Sequence, residues 1–335
     1  KKNYNFKDHE FRMTGDRSLY NFYENDNIYH SKQSYLSLIK LAIAMNKSKK
    51  IILHNLGNDR IVVLLCAMPW LLKKTCWVLW GRDLYQYFDF SNRKFEFSSN
   101  YFKDTFLEYC RRFVIFRLGF ISTTVPGDYK YAVKFYKTGA KYIENLMYSS
   151  HLCRNLSSED YPKKIDNKVY IQVGNSADPQ NKHIEVFDKL VAYDLENIKI
   201  YCPLSYGNEE DYAEKVIKYG KKCFGDKFVP LLKMMSMSEY NQYMASIDVA
   251  IFNHSYQQGM GNMIAALSLG KRVYINSYTS PYEYFKNLSL YVYKTDDKID
   301  LRSMNEDKAL SNIRVSKSFF TEQSLISSWT KVFNA

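Results

Sequence analysis

Three short stretches carry side chains able to hold a phosphorylated ligand or move a proton. The first is Gln257-Gln258-Gly259-Met260-Gly261-Asn262, where polar residues and two glycines open a helical pattern. A helix start offers unpaired backbone N–H groups and the positive end of the helix dipole, a combination that receives an anion such as a diphosphate. Glycine also lacks the Cβ that would hold a phosphate away from the backbone. The same two glycines can simply make a tight turn. The stretch is not GxGxxG, since Ile264 stands at the third glycine's place, and no Gly-Lys-Ser/Thr makes it a P-loop. Gln257 and Gln258 can give amide hydrogen bonds to phosphate or sugar hydroxyls, or merely solvate the turn. The second stretch is Gly174-Asn175-Ser176, which ends an apolar run and suits contact with phosphates or a sugar; Asn181 and His183 just beyond it suit helix capping. The third is Trp80-Gly81-Arg82-Asp83-Leu84-Tyr85. Asp83 lies in an aromatic setting (Trp80, Tyr85, Tyr87) that raises a carboxyl pKa by desolvation, as a general base requires. It suits equally the N-cap of a helix from Leu84 onward. His54 is the second candidate base, and Arg82 can meet an acceptor's diphosphate or carboxylate or stand free in water.

These stretches fall at the ends of strands. Ile51 to Leu53 ends at His54, Thr75 to Trp80 at the Asp83 segment, Val169 to Val173 at Gly174, and Ile247 to Phe252 at the Gln257 loop. Ligands of open α/β sheets gather at such carboxyl ends. Helical periodicity covers Ser34 to Met45, Ile61 to Leu72, Tyr101 to Phe120, Tyr129 to Tyr136, His183 to Tyr193, Asp211 to Gly220 and Ser238 to Ser246. It continues from Met260 to Leu267, with Gly270 placed to stop the helix, and from Ser316 to Phe333. Val125-Pro126-Gly127-Asp128 reads as a turn. The alternation predicts an α/β fold in three parts: an N-terminal Rossmann-like domain over 1–155, a second over 156–315, and a terminal helix over 316–335 that crosses back to the first. The boundary rests on the polar run from Ser149 to Lys164. Two βαβ domains facing across a cleft, with an anion site on the second, is the GT-B glycosyltransferase layout. A periplasmic-binding-type protein or a two-domain nucleotide-sugar epimerase has similar spacing.

Composition limits the alternatives. With 46% hydrophobic residues in 335, the chain is long enough for two ordinary domains and is not a disordered one. The formal charge of +12 points to an anionic partner: a nucleotide, a nucleic acid or a membrane surface. Part of the lysine reflects a general Lys, Asn, Tyr and Ile bias. The basic residues are scattered in pairs and form no known nucleic-acid module, so no nucleic acid is expected. Six separated cysteines without CxxC read as reduced thiols. No His/Cys cluster has zinc spacing and Asp296-Asp297 reads as a turn, so no metal and no other cofactor is expected. Tyr101 to Phe120, with Arg111, Arg112 and Arg117, fits either a basic helix on an anionic membrane or a core helix with its charged face in water. The longest apolar run, Ile61 to Leu72, contains Pro69 and is too short to span a bilayer. The chain begins at Lys1-Lys2 without a Met, and residues before it are expected.

Three segments in order resemble one known family. WGRDLY (Trp80–Tyr85) is similar to its WG-x-DLY, VGNSADPQNKH (Val173–His183) to VGNS-x-D-x-x-N-x-H, and FNHSYQQGMGN (Phe252–Asn262) to F-x-x-x-x-QQG-x-G. The family is glycosyltransferase family 56, the dTDP-4-acetamido-4,6-dideoxygalactose:lipid II transferases of enterobacterial common antigen assembly. The resemblance implies a GT-B fold, a nucleotide-diphospho-sugar donor and an undecaprenyl-diphosphate-linked saccharide acceptor. It also implies peripheral work at the cytoplasmic face of the bacterial inner membrane, on an anionic surface. Family members carry a further short strand before the region matching residue 1. On this reading Gly174, Asn175, Ser176, Gln257, Gln258, Gly259, Met260, Gly261 and Asn262 hold the donor, Trp80, Arg82 and Tyr85 meet the acceptor, and Asp83 or His54 takes the proton. Related enzymes of O-antigen or capsule assembly could use UDP or GDP sugars, and a non-catalytic nucleotide or sugar binder would share the layout.

Overall fold

The computed structural model describes residues 4–13, 27–30, 34–85, 99–146, 148–153, 167–193, 196–207 and 211–335. Tyr87 and the expected domain boundary at 155/156 lie outside them. The chain forms two compact units. One is Lys1–Trp77, Glu96–Ile121 and Thr138–Lys141; the other is Val78–Phe95, Ser122–Lys137 and Tyr142–Ala335.

In the first unit, β1 (Phe11–Met13) pairs in parallel with β2 (Ile28–His30). Helix α1 (Tyr35–Lys47) starts at Ser34, whose hydroxyl accepts the Ser37 amide. Strand β3 (Ile51–His54) leads to α2 (Asp59–Ala67), capped by the Asn58 side chain. The expected single helix over Ile61–Leu72 is instead two pieces. Pro69 has no N–H and its ring excludes the preceding α conformation, so α2 stops and Pro69–Lys74 winds as a tighter 3-10 segment. Helix α3 (Ser99–Arg117) also departs from expectation. Two of its charges turn inward: Glu108 and Arg111 are 3% and 7% exposed and paired at 3.4 Å, while Phe102, Phe106, Tyr109 and Phe116 stand in water. Each buried charge is compensated within the helix, with Arg112 adding a second bond to Glu108 at 2.9 Å. Lys103 and Arg117 remain exposed, so the helix carries charge both in the interior and in water.

Strands β4 (Thr75–Val78), β5 (Phe120–Thr123) and β6 (Lys141–Glu144) join β3 in a sheet of order β3-β4-β5-β6. The division between the units passes through β4, β5 and β6, so their carboxyl-terminal ends and following segments belong to the second unit.

The second unit continues with α4 (Pro126–Tyr136), which takes in most of the expected turn because Pro126 serves as a first helical residue, where its missing N–H costs nothing. Its main sheet has β7 (Val169–Val173), β8 (Ile198–Pro203), β9 (Phe228–Leu231), β10 (Val249–Phe252), β11 (Arg272–Ile275) and β12 (Tyr293–Lys294). The order is β12-β11-β10-β7-β8-β9 with every pair parallel. The connections carry α5 (His183–Val191), α6 (Tyr212–Phe224), α7 (Met237–Ser246), α8 (Met260–Ser268) and α9 (Ser280–Asn287). Layers on both faces explain why β10 is a continuous apolar run rather than an alternating one. One core joins Phe252 to Met263, Ile264 and Leu267 of α8 and to Phe285 and Phe320; the other joins Ile171 and Val173 to Phe187, Phe224 and Phe228. Gly270, at φ 68°, ends α8 as expected.

The terminal helix is again two: α10 (Glu306–Phe319) and α11 (Glu322–Asn334), with Thr321 capping the second. Phe320 is buried and out of helical conformation at φ −96°, ψ 59°, which lets both helices present an apolar side to one core. Ser328 of α11 accepts the Leu146 amide at 3.2 Å and donates to Asn145 Oδ1 at 2.8 Å.

Candidate functional site

Strand order reverses between β7 and β10: β8 and β9 lie beyond β7, and β11 and β12 beyond β10. In open α/β sheets the crevice at the carboxyl ends of such neighbours is where ligands bind. Into it run Gly174-Asn175-Ser176 after β7 and Asn253 to Gln258 after β10. The crevice is held by one asparagine. Asn181 Oδ1 accepts the Asn175 amide at 2.8 Å and lies 2.9 Å from His254 Nε2, while Asn181 Nδ2 reaches Gln258 Oε1 at 3.1 Å and Ser176 Oγ at 3.3 Å. Gln258 Nε2 donates to Asp178 Oδ2 at 2.8 Å, so both ends of that amide are engaged within the protein. Asn175 Nδ2 donates to Tyr206 at 2.7 Å. Four buried polar atoms here have no hydrogen-bond partner: the ring nitrogens His183 Nε2 and His254 Nδ1, and two amide acceptors, Asn175 Oδ1 and Gln257 Oε1. A buried polar atom left unmatched is costly, and a ligand's N–H or O–H would relieve it. Burial pulls His183 and His254 each down to about 3, with His254 adding to the shift at His183, so both rings are neutral at ordinary pH.

Helix α8 starts at this crevice. Gly259, its N-cap, has φ 66°, a conformation ordinary residues adopt at a cost. A Cβ there would lie 3.0 Å from Asn175 Oδ1, which places the unpartnered acceptor beside the helix start. Gly261 is small for a packing reason: a Cβ would come 2.9 Å from the Ser150 carbonyl. Met260 is buried in the core. Asn262 accepts the Tyr240 hydroxyl at 2.7 Å. The amides of Met260, Gly261 and Asn262 have no intrahelical acceptor.

The segment after β4 packs onto the same loop. Gly81, at φ 105°, sits so close to Gln257 that a Cβ would be 2.3 Å from its carbonyl oxygen and 2.5 Å from its unpartnered Oε1. A helical turn covers 82–85. Asp83 within it is 1% exposed, and its Oδ1 accepts the Trp80 amide at 3.1 Å. Tyr85 stacks on Tyr256 of the β10 loop, with centroids 4.9 Å apart at 17°. Trp80 is partly exposed and meets Tyr148 edge-on while donating to its hydroxyl. Arg82 is exposed.

A second carboxyl here escaped the sequence reading. Asp128, in the first turn of α4, is fully buried; Ser280 of α9 donates to its Oδ1, the Tyr85 hydroxyl does so at 3.5 Å, and Oδ2 has no partner. Burial, helped by the charge of Asp83 and opposed by the two hydrogen bonds, raises its pKa to about 7. Burial also raises the Tyr85 hydroxyl well above its usual range, with Asp128 contributing. The signal was present, since Asp128 follows a strand end as Asp83 does, but Pro-Gly-Asp read as a turn.

The three stretches singled out in the sequence thus meet within the second unit. His54 belongs to the first unit, at the exposed end of β3, where the surrounding protein lowers its pKa by desolvation. Among the described residues no group of three or more His, Cys, Asp or Glu is arranged to hold a metal ion, and none of the described helices is long and apolar enough to cross a membrane.

Residues 9–335 match a family described as 4-alpha-L-fucosyltransferase glycosyl transferase group 56. Among solved structures, Anabaena HepE in complex with UDP-glucose aligns with a TM-score of 0.64 at 11% identity, over 92% of this chain and 85% of that one. A glycosyltransferase from Rickettsia africae aligns at 0.62 and 10% identity, over 97% and 90%. WaaG, a glycosyltransferase involved in lipopolysaccharide biosynthesis, aligns at 0.63 and 12%, over 97% and 90%. At these identities the likeness speaks for the fold, which is GT-B. The family match extends over nearly the whole chain, and the protein belongs to glycosyltransferase group 56.

Proposed function

We propose that this glycosyltransferase moves 4-acetamido-4,6-dideoxygalactose from dTDP onto an undecaprenyl-diphosphate-linked saccharide, working peripherally at the cytoplasmic face of a bacterial inner membrane. The observation that carries the proposal is the meeting of WGRDLY, VGNS and QQGMGN, with Gly81 seated on Gln257 and Asn175 beside Gly259. That HepE is found with UDP-glucose supports a nucleotide-sugar donor.

The geometry supports the following roles. The leaving diphosphate lies at the start of α8, where unpaired amides and the helix dipole stabilise the charge that builds as the glycosidic bond breaks. No metal is required for that step. Asn175 Oδ1 and Gln257 Oε1 accept hydrogen bonds from donor hydroxyls. Asp83, held by the Trp80 amide, takes the acceptor hydroxyl's proton, and Asp128 keeps the proton of the carboxyl pair so that only one of them is charged. Trp80, Arg82 and Tyr85 line the acceptor side.

The test is transfer from dTDP-sugar to a lipid-linked acceptor with EDTA present, together with calorimetric binding of dTDP, UDP and GDP. Expected are turnover and tight dTDP binding that ignore EDTA, and loss of about 10²–10⁴-fold in kcat for Asp83→Asn with unchanged nucleotide affinity. Preference for UDP would favour the second reading, a UDP-sugar transferase, which the HepE complex supports. Full activity of Asp83→Asn would remove Asp83 from the mechanism.

A further inference from the structure

Helix α1 of the first unit is apolar on the side that faces water. Tyr35, Leu36, Ile39 and Ile43 are 89%, 64%, 57% and 50% exposed. Beside them a groove of about 420 Å³ runs between α1 and α2, lined by Leu38, Ile39, Ala42, Ile43, Leu64 and Met68. At its end stands Trp70, 61% exposed, its indole N–H fixed on Asn46 Oδ1 at 2.9 Å. A tryptophan with an apolar body in the open and its polar edge satisfied is the type that accumulates at membrane–water boundaries. A contiguous apolar face of this kind is unusual on a soluble surface and marks an interaction site.

Charge says which partner covers it. From Tyr35 to Lys74 the chain holds seven basic residues (Lys40, Lys47, Lys49, Lys50, Arg60, Lys73 and Lys74) and a single acid, Asp59. Asp59 itself lies 3.5 Å from Arg111. Lys40 and Lys47 are exposed on α1, and Lys73 is exposed three residues after Trp70. An apolar stripe bordered by lysines is the pattern of a helix lying in the headgroup region of an anionic bilayer, apolar side down.

We propose that α1, with the groove it forms against α2 and with Trp70, is the surface by which this protein docks on an anionic membrane. The proposal deepens the reading of a lipid-linked acceptor and rests on it for its biological sense, but the contact itself is independent of which sugar is moved. It also assigns the docking to α1 rather than to the exposed aromatic stripe of α3.

The experiment is flotation of the full chain with phosphatidylcholine vesicles, with and without phosphatidylglycerol, at low and high salt. Turnover of a short-chain, water-soluble acceptor is measured in parallel. Wild type is expected to float only with phosphatidylglycerol and to be released by salt. Ile39→Ser with Ile43→Ser is expected to lose more than tenfold in binding. Each of Lys40→Ala and Lys47→Ala is expected to lose about fivefold. These variants should turn over the soluble acceptor normally, which also establishes that they fold. Phe102→Ser with Phe106→Ser on α3 should bind like wild type. Absence of binding by wild type, undiminished binding by the α1 variants, or loss confined to the α3 variants would each overturn the inference. So would a lipid-free dimer that the α1 variants dissociate, since the face would then belong to a second copy. Binding to neutral vesicles that requires a polyprenyl lipid would make the groove a tail site instead. Failure of soluble-acceptor turnover by wild type, with flotation intact, would count against the transfer reading and leave the docking surface standing.

Discussion

Replacing Asp128 by Asn should stabilise the protein at neutral and alkaline pH. In the folded chain the Asp128 carboxyl is raised from 3.8 to about 7, first by burial and then by the charge of Asp83. Over that interval the native chain keeps a proton that the unfolded chain has already lost. The native state therefore binds more protons, and stability falls as pH rises from about 4 to about 7, levelling off above. The span from 3.8 to about 7 corresponds to an upper figure of about 4 kcal/mol, at about 1.4 kcal/mol per pH unit. Asn is isosteric with the protonated acid, cannot ionise, and still accepts from Ser280 and Tyr85 through its carbonyl. Its NH2 takes the place of the protonated Oδ2, which has no partner in either protein, so part of the gain is offset. The groups facing Asp128 are Asp83, Tyr85, Tyr131, Tyr142 and Ser280, and none of them is removed by the change. Urea denaturation from pH 5 to 8.5 is the assay. Wild type should lose stability across this range, and Asp128→Asn should lose much less, gaining on the order of 2–4 kcal/mol over wild type above pH 7. Parallel curves for the two proteins, or a wild type that becomes more stable as pH rises because of this residue, would refute a proton-holding Asp128. Activity gives an independent check: Asp128→Asn should shift the alkaline or acid limb of the kcat/KM profile without the large kcat loss of Asp83→Asn.

Gly81→Ala should cost about 3 kcal/mol, combining a positive φ with a Cβ driven to 2.3 Å from the Gln257 carbonyl; a wild-type melting temperature would show that the two loops do not seat as described. Gly261→Ala gains helix propensity but must displace the Ser150 carbonyl from 2.9 Å, so a net loss of about 1 kcal/mol is expected in urea melts. Ser328→Ala removes the hydroxyl between Leu146 and Asn145 and should lower stability by about 1–2 kcal/mol, leaving the Leu146 amide without that acceptor. Because His183 and His254 ionise only near about 3, neither should contribute to any pH dependence of nucleotide affinity between pH 5.5 and 8, measured by calorimetry in His254→Gln against wild type.

What the sequence made legible follows from how strongly each residue type constrains its backbone. The run Val169 to Val173 emerges as β7 with the same limits, because Val169, Ile171 and Val173 alternate with Tyr170 and Gln172 and a glycine follows. Gly270 could be read as a helix stop because few other residues take its φ of 68°. The breaks at Pro69 and Phe320 were harder. Pro69 was visible but outweighed by the apolar period around it, and Phe320-Thr321 carries no glycine or proline, the break being set by packing of the phenyl ring in the core. Strand β6, Lys-Tyr-Ile-Glu, has too little apolar content to announce itself and is held by its neighbour. The buried charge pair of α3 was invisible for a different reason. Glu108 and Arg111 lie one turn apart and satisfy each other, so charges that composition assigns to water can be buried together. The same holds at the site: the loops bearing Asp83, Asn175 and Gln257 could be picked from residue types, but Asp128 becomes conspicuous only once Ser280, from a segment far along the chain, is placed on it.

The glycines of the QQGMGN loop show why the site cannot be argued from its motif alone. Gly259 is required by its φ of 66° and Gly261 by the nearness of Ser150, so both would be needed whether or not a phosphate ever bound. The independent sign of a ligand is the pair of unmatched acceptors, Asn175 Oδ1 and Gln257 Oε1. A diphosphate cannot satisfy them, because at neutral pH it presents only acceptors of its own. Hydroxyls and ring N–H groups can. A nucleotide sugar carries both kinds of group on one molecule, and the crevice answers both: backbone amides at the opening of α8 for the phosphates, and these two amide oxygens for hydroxyls or base. Gln257 Oε1 has a further consequence, since it lies against Gly81 in the segment that bears Asp83. In the proposed complex a donor hydroxyl on that oxygen would stand next to the loop of the general base. Gln257→Leu should therefore weaken both donor affinity and kcat, whereas Asn175→Leu should weaken donor affinity alone.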